Sequence, residues 1–262
     1  MSTHHPTAII GTKDIAEGVS IGPYAIIEDA VIGPGCNIGA GAWIGEGAKL
    51  APSVQVGAGA EVLPGIIVGS HVQVEPGAVV SRNVPPSVII GGNPGQISGY
   101  VAARSTKAFQ QLDAGGDRGS GVVKSSVSGV TLHRLPLIED LRGTLTVGHF
   151  EREVPFNPKR YFVVFDVPPH DLRGEHAHKE CSQFMICMKG AISVAVDDGA
   201  NREETRLDSP HLGLYMSPMI WGSQFKQTPD AVLLVFASHD YDPDDYIRDY
   251  EEFLAYTASK RA

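Results

Sequence analysis

The sequence predicts an all-β protein with two domains, a triangular solenoid followed by a barrel or sandwich. Aliphatic residues recur every six positions through the first hundred residues, and short apolar runs alternate with turn signals from residue 129 onward. A length of 262 residues corresponds to one large or two ordinary domains. We therefore expect a solenoid over residues 1–100, a connecting segment over 101–128 and a β domain over 129–262.

The first domain is an internal repeat of aliphatic residues. With one five-residue step, the repeat runs through Ile9, Ile15, Ile21, Ile27, Ile32, Ile38, Ile44, Leu50, Val56, Val62, Val68, Val74 and Val80. A period of six fits neither an α-helix nor a simple alternating strand. It is typical of a solenoid in which each hexad forms one flat face of a triangular coil. Glycines often follow the aliphatic position, as at Gly57, and we expect them to turn the corners with positive φ.

This repeat resembles the hexapeptide-repeat family, whose members fold as a left-handed parallel β-helix. The closing segment, residues 84–95, resembles that of the acyltransferases of this fold. The resemblance implies acetyl-CoA as a cofactor, assembly into trimers, and His71 as an acyl-transfer candidate, because it is the one histidine within the coils. The hexads from Ile32 to Val80 carry no inserted loop, however, which favours His71 as an ordinary solvent-facing residue. An active acyltransferase, a degenerate one and an oligomerisation platform all remain open.

The connecting segment is expected to contain a short helix and a flexible linker. Gln96 to Leu112 has the composition of a short helix beyond the last coil. Residues 113–121 are rich in glycine and charge, which is typical of a linker.

The second domain has the pattern of a β-barrel or sandwich. Apolar runs at 161–165, 184–188, 191–196, 213–216 and 231–237 predict strands. The acidic tail from Asp240 to Glu252 places Tyr246, Ile247 and Tyr250 at helical spacing, which predicts a helix with these residues in packing contacts.

Composition narrows the function classes. The net charge of −9 argues against a general nucleic-acid or anionic-membrane surface. The three cysteines, Cys36, Cys181 and Cys187, lack metal-binding spacing and are odd in number, so a disulfide framework is not expected. No export signal or run of transmembrane length occurs, and a reducing cytoplasmic location is expected.

The chemistry is predicted at the pair His176 and His178. In an extended strand, side chains two apart share a face, so both imidazoles would project into one cavity. Imidazole suits proton transfer or metal binding, because its unperturbed pKa lies near neutral pH.

The spacing of this pair resembles the first motif of the cupin (jelly-roll) barrels. Gln183 stands where that motif carries an acidic metal ligand, and residues 213–222 offer no histidine for the second motif. Two histidines without a third ligand make a poor zinc or iron site. We therefore expect no metal, with the histidines serving as acid and base, and a metal cupin such as a dioxygenase is disfavoured.

A more specific resemblance covers residues 130–255. The segments 140–143, 159–166, 173–179, 207–215 and 237–250 resemble the sugar-nucleotide 3,4-ketoisomerases, which convert TDP-4-keto-6-deoxyglucose to its 3-keto isomer. The resemblance implies a TDP-linked keto sugar as the ligand of the barrel, and the isomerisation of such a sugar requires no cofactor. Many relatives carry Trp-His where this chain has Trp221-Gly222, which leaves the stereochemistry of the product open.

The resemblance assigns roles to particular residues. His178 is the leading base and His176 its partner or oxyanion donor, although the two could be exchanged. Candidate substrate-binding residues are Arg173, Arg160 and Arg142 for the oxyanion or diphosphate, Gln183 for a sugar hydroxyl, and Tyr215 and Trp221 for the sugar or base pocket. Surface ion pairs for Arg160 and Arg142, and core positions for Tyr215 and Trp221, are the alternatives.

Three functions remain distinct. The first is a ketoisomerase in a homo-oligomer, either a trimer or a hexamer. The second is a non-catalytic sugar-nucleotide binder or scaffold. The third is a bifunctional ketoisomerase and N-acetyltransferase.

Overall fold

The computed structural model describes residues 2–105 and 120–261, and it divides into two compact units, Met1–Val101 and Ala102–Ala262. Regular structure in the described residues is almost entirely β, with one 3₁₀ turn and one α-helix. Among these residues, no helix combines the length and apolar character needed to span a membrane.

The first unit is a β-solenoid built from short parallel strands on three faces. Its strands are β1 Thr3–His4, β2 Ile9–Ile10, β3 Ser20–Ile21, β4 Ile26–Ile27, β5 Val31–Ile32, β6 Asn37–Ile38, β7 Trp43–Ile44, β8 Lys49–Leu50, β9 Gln55–Val56, β10 Glu61–Val62, β11 Ile67–Val68, β12 Gln73–Val74, β13 Val79–Val80, β14 Val88–Gly91 and β15 Gln96–Tyr100. The three sheets have the orders β1-β3-β6-β9-β12-β14-β15, β13-β10-β7-β4-β2 and β11-β8-β5. All pairs are parallel except β14 with β15.

The coils repeat at the predicted length. Gln55 pairs with Gln73, eighteen positions later, so each coil contains three hexads. The predicted interior positions from Ile21 to Val80 are at most 3 % exposed, which confirms the repeat there. The prediction for Ile9 is wrong, because Ile10 pairs with interior Ile27 while Ile9 is 64 % exposed.

The glycines after the aliphatic positions serve a different purpose from the one expected. A Cβ on Gly57 would lie 2.5 Å from the backbone nitrogen of Pro76 in the next coil, and its φ is not positive. The positive φ occurs two residues later, at Gly59 (φ 64°), where a side chain would meet open space. Close approach of successive coils, and not the corner conformation, therefore requires glycine after the aliphatic residue.

The second unit contains two six-stranded sheets, in which all pairs are antiparallel except β16 with β25. Its strands are β16 Arg104–Ser105, β17 Gly121–Lys124, β18 Val130–Arg134, β19 Leu137–Asp140, β20 Gly143–Thr146, β21 Arg160–Phe165, β22 Arg173–His178, β23 Gln183–Lys189, β24 Ile192–Asp197, β25 Arg202–Leu207, β26 Leu212–Met216, β27 Trp221–Phe225, β28 Val232–Ala237 and β29 Tyr246–Ile247. A 3₁₀ turn spans Pro243–Asp245, and helix α1 spans Tyr250–Arg261.

The two sheets enclose the core of the barrel. Their orders are β16-β25-β24-β27-β22-β29 and β17-β18-β26-β23-β28-β21, and β19 and β20 form a separate hairpin. Alternate residues of both sheets face one another, including Met185, Leu214 and Val235 from one sheet and Val194 and Val196 from the other. The all-β class with a solenoid and a cupin-type barrel is therefore confirmed.

The helix expected from Gln96 to Leu112 is wrong over its described part. Gln96–Tyr100 is strand β15, which pairs antiparallel with β14 at the end of the solenoid. The exposed N–H and C=O groups of β14 provide hydrogen-bond partners that a helix would leave unused. Residues 106–119 lie outside the described part of the chain, and Gly121, expected in the linker, begins β17.

The helix expected from Asp240 begins ten residues later. Asp242 caps the 3₁₀ turn by accepting a hydrogen bond from the Asp244 backbone. Tyr246 and Ile247 then form β29, which pairs with Ala177 and His178 at the edge of β22. Pairing with that free edge outweighs the helical pattern of the sequence, and this brings Tyr246 to the histidines.

Candidate active site

Both histidines face the interior of the barrel. His176 lies opposite Gly222 of β27, and Gly222 lies opposite Val196, a core residue. His178 is two residues further along β22 and therefore lies on the same face. Their ring centroids are 4.9 Å apart, so the extended strand brings the pair together as the sequence predicts.

A bulge in β22 brings Arg173 onto this face as well. Arg173 pairs with Gln224 and His176 with Gly222, so four residues on β22 face three on β27, and Glu175 is the extra residue. Gly174 and Glu175 have φ of 80° and 55°. A side chain at Gly174 would also meet the Gly222 carbonyl at 2.5 Å. Arg173 and His176 are three positions apart, and in a regular strand an odd spacing would put their side chains on opposite faces. The extra residue in the bulge brings both side chains to the same face.

Hydrogen bonds hold His178 from both sides. Its Nδ1 lies 2.7 Å from Asp245 Oδ2, and its Nε2 lies 3.0 Å from the Gln183 side-chain nitrogen. The other Asp245 oxygen accepts from the backbone of Glu180 at 2.7 Å. Burial opposes the charge of Asp245, but hydrogen bonds from the Glu180 backbone and from His178 outweigh it and lower its pKa. An ionised Asp245 requires the proton on Nδ1, which leaves Nε2 as a lone-pair acceptor for the Gln183 amide.

Both imidazoles are neutral at neutral pH. Burial lowers the pKa of His176 to about 4, against a smaller opposing effect of its hydrogen bond to the Gly174 carbonyl. That bond, 3.0 Å long, places the proton of His176 on Nδ1. Burial also lowers the pKa of His178, although Asp245 opposes the shift. Two buried, unprotonated Nε2 atoms on one face are suited to accept protons.

Tyr246 and two arginines complete the site. The Tyr246 ring lies 4.3 Å from that of His178 and 4.9 Å from that of His176, measured between centroids. The Arg248 guanidinium lies 4.2 Å from the Tyr246 ring centroid, and Arg160 Nη2 donates to the Tyr246 hydroxyl at 3.5 Å. Arg160 and Gln183 are both paired with Ala237, so they share the inner face with the histidines. Two cations therefore lie beside two neutral bases.

The comparisons with known proteins agree with this geometry. A family model described as FdtA, WxcM-like, C-terminal matches residues 128–258, which is half of the chain. The chain belongs to this family. A second model, described as bacterial transferase hexapeptide (six repeats), matches residues 14–46 within the solenoid.

The individual proteins to which this chain is similar include 3,4-ketoisomerases. The TDP-4-oxo-6-deoxy-alpha-D-glucose-3,4-oxoisomerase of Aneurinibacillus thermoaerophilus is 40 % identical over 121 residues, covering 46 % of this chain and 87 % of that protein. A double mutant of the 3,4-ketoisomerase QdtA from Thermoanaerobacterium thermosaccharolyticum, solved with TDP, is 33 % identical with a TM-score of 0.50. A histidine-to-asparagine mutant of the same enzyme, solved with TDP-4-keto-6-deoxyglucose, is 31 % identical with a TM-score of 0.50. Both structures cover 51 % of this chain and are themselves covered to 97 %.

Tyr215 and Trp221, which were predicted to line the substrate pocket, lie on the outer faces of their strands. Tyr215 stands between core residues Leu214 and Met216, so it faces outward, where it packs against the cluster around Phe184. Trp221 precedes inward-facing Gly222 and likewise faces outward, packing against Tyr250 of α1 with ring centroids 5.2 Å apart. The expectation that they line the pocket is wrong, because neighbouring strand residues face opposite sides of a sheet.

Arg142 and His71 each lie at an exposed position of their own unit. Arg142 is 90 % exposed at the tip of the β19–β20 hairpin and pairs with Asp140, which corresponds to the surface ion pair considered as the alternative. His71 is an exposed turn residue of the solenoid with φ of 57°.

Sequence reasoning missed Asp245, Tyr246 and Arg248. They belong to the segment 237–250 that supports the family resemblance, but its helical spacing assigned the aromatics to packing. The pairing of β29 with β22 is a contact across about seventy residues of sequence, which no local pattern shows.

Proposed function

We propose that the barrel domain is a metal-independent sugar-nucleotide 3,4-ketoisomerase acting on TDP-4-keto-6-deoxyglucose. The observation that carries this proposal is the neutral His178, whose Nδ1 proton is held by Asp245 while Nε2 faces the barrel interior. The family relatives supply the substrate class, since TDP-4-oxo-6-deoxyglucose and TDP are named for those proteins.

The reaction moves two protons and changes no oxidation state overall. His178 Nε2 takes the proton from C3, which is acidified by the ketone at C4, and an enediolate forms. After the proton on Nε2 has exchanged with solvent, His178 delivers a proton to C4. His176 Nε2 accepts the O3 hydroxyl proton and transfers it to O4, so that the carbonyl ends at C3. The substrate displaces the Gln183 amide from His178 Nε2, and the amide then binds a sugar hydroxyl.

The arginines stabilise negative charge. Arg173 shares the face of His176, and we assign it to the developing oxyanion, whose stabilisation is often the largest single contribution to catalysis. Arg160 and Arg248 flank Tyr246 and bind the diphosphate through their planar donor groups. This arrangement supplies the local positive charge that an anionic substrate requires on a protein of net charge −9.

We assign the solenoid mainly to assembly. Its described coils carry no inserted loop, and His71 has no acidic partner in the described residues to activate it. Acetyl-CoA remains the cofactor that an active hexapeptide domain would use, so the bifunctional alternative retains a direct test.

Incubation with TDP-4-keto-6-deoxyglucose in deuterated water tests the proposal. We expect deuterium at the carbon next to the ketone, with formation of the 3-keto isomer, as measured by NMR. Binding of TDP without exchange or isomerisation would instead support the non-catalytic binder or scaffold.

A further inference from the structure

On the Asp245 side of His178, three potential metal ligands converge. His178 Nδ1, Cys181 Sγ and an Asp245 carboxylate oxygen all lie within 4.8 Å of one another. His178 and Cys181 are buried, and Asp245 is half-buried. We propose that this cluster is an inhibitory site for Zn²⁺ or a similar divalent transition metal, and that its occupation switches off the isomerase. The inhibition rests on the proposed function, whereas the metal binding does not.

The ligand set matches this class of ion. Thiolate, imidazole and carboxylate are the zinc ligands of proteins, and three protein ligands leave one position for water. Zinc bond lengths place tetrahedral ligand atoms roughly 3.3 to 3.6 Å apart. His178 Nδ1 and Asp245 Oδ2 are now 2.7 Å apart, so small side-chain movements suffice. The charges of a thiolate and a carboxylate also neutralise a divalent cation in this buried position.

An acidic cavity leads to the cluster. A cavity of about 170 Å³ is lined by Asp245 and by further carboxylates from Glu180, Asp240, Asp242 and Asp244, with Lys179 and His239 as the basic members of its wall. A cavity with an excess of carboxylates raises the local concentration of cations. The ion therefore has a route to Asp245 that does not pass through the barrel interior faced by the two Nε2 atoms.

Binding at Nδ1 would remove the base. In the metal-free protein Nδ1 carries the proton and Nε2 the lone pair that accepts the C3 proton. A metal on Nδ1 requires a lone pair on that nitrogen, so the imidazole proton leaves Nδ1 and Nε2 becomes the protonated nitrogen. The Gln183 amide then rotates to present its oxygen. The thiol of Cys181 loses its proton to solvent, because a coordinated thiol is deprotonated. One proton is released for each ion bound, and His178 remains neutral but can no longer act as a base.

This site differs from the metal site of the cupin motif, with which the spacing of His176 and His178 was compared. That site would use Nε2 of both histidines, where Gln183 and Gly222 provide no third anionic ligand. The cluster here uses the opposite nitrogen of His178 and a cysteine that the histidine spacing does not include.

The test uses the full chain and cobalt as a spectroscopic probe. We expect Co²⁺ titration of the wild type to produce a thiolate-to-cobalt charge-transfer band at one ion per chain, with one proton released. The band should vanish in Cys181→Ser and persist in Cys187→Ser, the matched control for a buried cysteine in the barrel core. Cys181→Ala repeats the test if the serine variant is unstable.

Enzyme assays test the inhibitory half. Added Zn²⁺ should inhibit isomerisation, and a chelator should restore the activity. The Zn²⁺ concentration needed for inhibition should rise at least roughly tenfold in Cys181→Ser, since even residues that only hydrogen-bond to metal ligands contribute 10–100-fold to metal affinity. The activity of both cysteine variants without metal should match the wild type. Unchanged zinc inhibition in Cys181→Ser, or a cobalt band that survives it, would overturn the proposal. If the wild type had no isomerase activity, the cobalt titration would still decide whether the site exists.

Discussion

The roles of individual residues follow from a short hydrogen-bond chain. Asp245, His178 and Gln183 are linked by bonds of 2.7 and 3.0 Å, and this order defines which nitrogen of His178 is protonated. A carboxylate behind an imidazole fixes its tautomer and orientation, which is the arrangement that general-base catalysis requires. His176 has only a backbone carbonyl on its Nδ1, so it lacks the negative charge that supports His178.

Substitution of His178 by asparagine should therefore remove most of the activity. His178→Asn keeps the size and part of the hydrogen bonding but deletes the titrating group, so the isomerisation rate should fall roughly 10²–10⁴-fold. Affinity for TDP, measured by calorimetry, should barely change. His149→Asn is the control, since the His149 side chain is half-exposed and bonds only to Glu153 in the described contacts. Near-native turnover of His178→Asn would make His176 the base.

The pH dependence should reflect the lowered pKa of His178. The base is active when unprotonated, so activity should stay constant through neutrality and fall only as pH drops below about 6.5, the ordinary histidine value. Asp245→Asn removes an interaction that raises this pKa, so the acid limb should move to lower pH while the maximal rate drops roughly 10²-fold. A profile of kcat/KM from acidic to neutral pH checks both effects. An acid limb that moves upward in the variant would contradict the assigned proton positions.

At the level of strands and coils, contacts between neighbouring backbones decide the structure. In the solenoid, Gly57 permits the next coil to approach. In the barrel, the bulge at Gly174 and Glu175 brings Arg173 onto the strand face of the histidines. Strand β29 completes the active site by pairing with the edge of β22. In each case a residue without obvious chemistry determines where a functional or core side chain lies.

Two glycine substitutions separate coil contact from corner conformation. Gly57→Ala puts a Cβ 2.5 Å from the Pro76 backbone nitrogen, so it should destabilise the solenoid by about 1–3 kcal/mol, the usual cost of overpacking. Gly59→Asn occupies open space at φ 64°, a conformation that asparagine tolerates, and should cost less than about 1 kcal/mol. Thermal unfolding followed by circular dichroism compares the two. Equal destabilisation would show that coil contact is not what requires glycine at position 57.

For the whole molecule, exposed apolar surface on each unit favours self-association. Ile9, Ile26 and Trp43 are in register on the outer face of one solenoid sheet, and Ile9 and Ile26 are exposed. Tyr161, Val163 and Phe165 form an exposed row on β21, an edge strand of the barrel. Contiguous apolar surface of this kind marks interaction sites. We expect a trimer or hexamer by light scattering at micromolar concentration, and a monomer would contradict this.

The solenoid should show little or no acetyltransferase activity. His71 is exposed on a turn, and acyl transfer requires a base within hydrogen-bond reach of the acceptor amine or one water away. The measurement is acetyl-CoA consumption with TDP-3-amino-3,6-dideoxy sugars, comparing the wild type with His71→Ala. Turnover near or above about 1 s⁻¹ that His71→Ala abolishes would establish a bifunctional enzyme.

The sequence by itself determined the features that depend on local periodicity. Hexad spacing predicts the buried column from Ile21 to Val80, because one residue in six faces the interior of a triangular coil. The HxH spacing likewise predicts that His176 and His178 share a face. Only the tertiary structure decided which other residues meet them. Asp245 and Tyr246 arrive through pairing of a distant strand, while Tyr215 and Trp221 turn outward because each lies one position from an inward-facing residue. Spacing along a strand is encoded locally, whereas the pairing of distant strand edges depends on the folded chain as a whole.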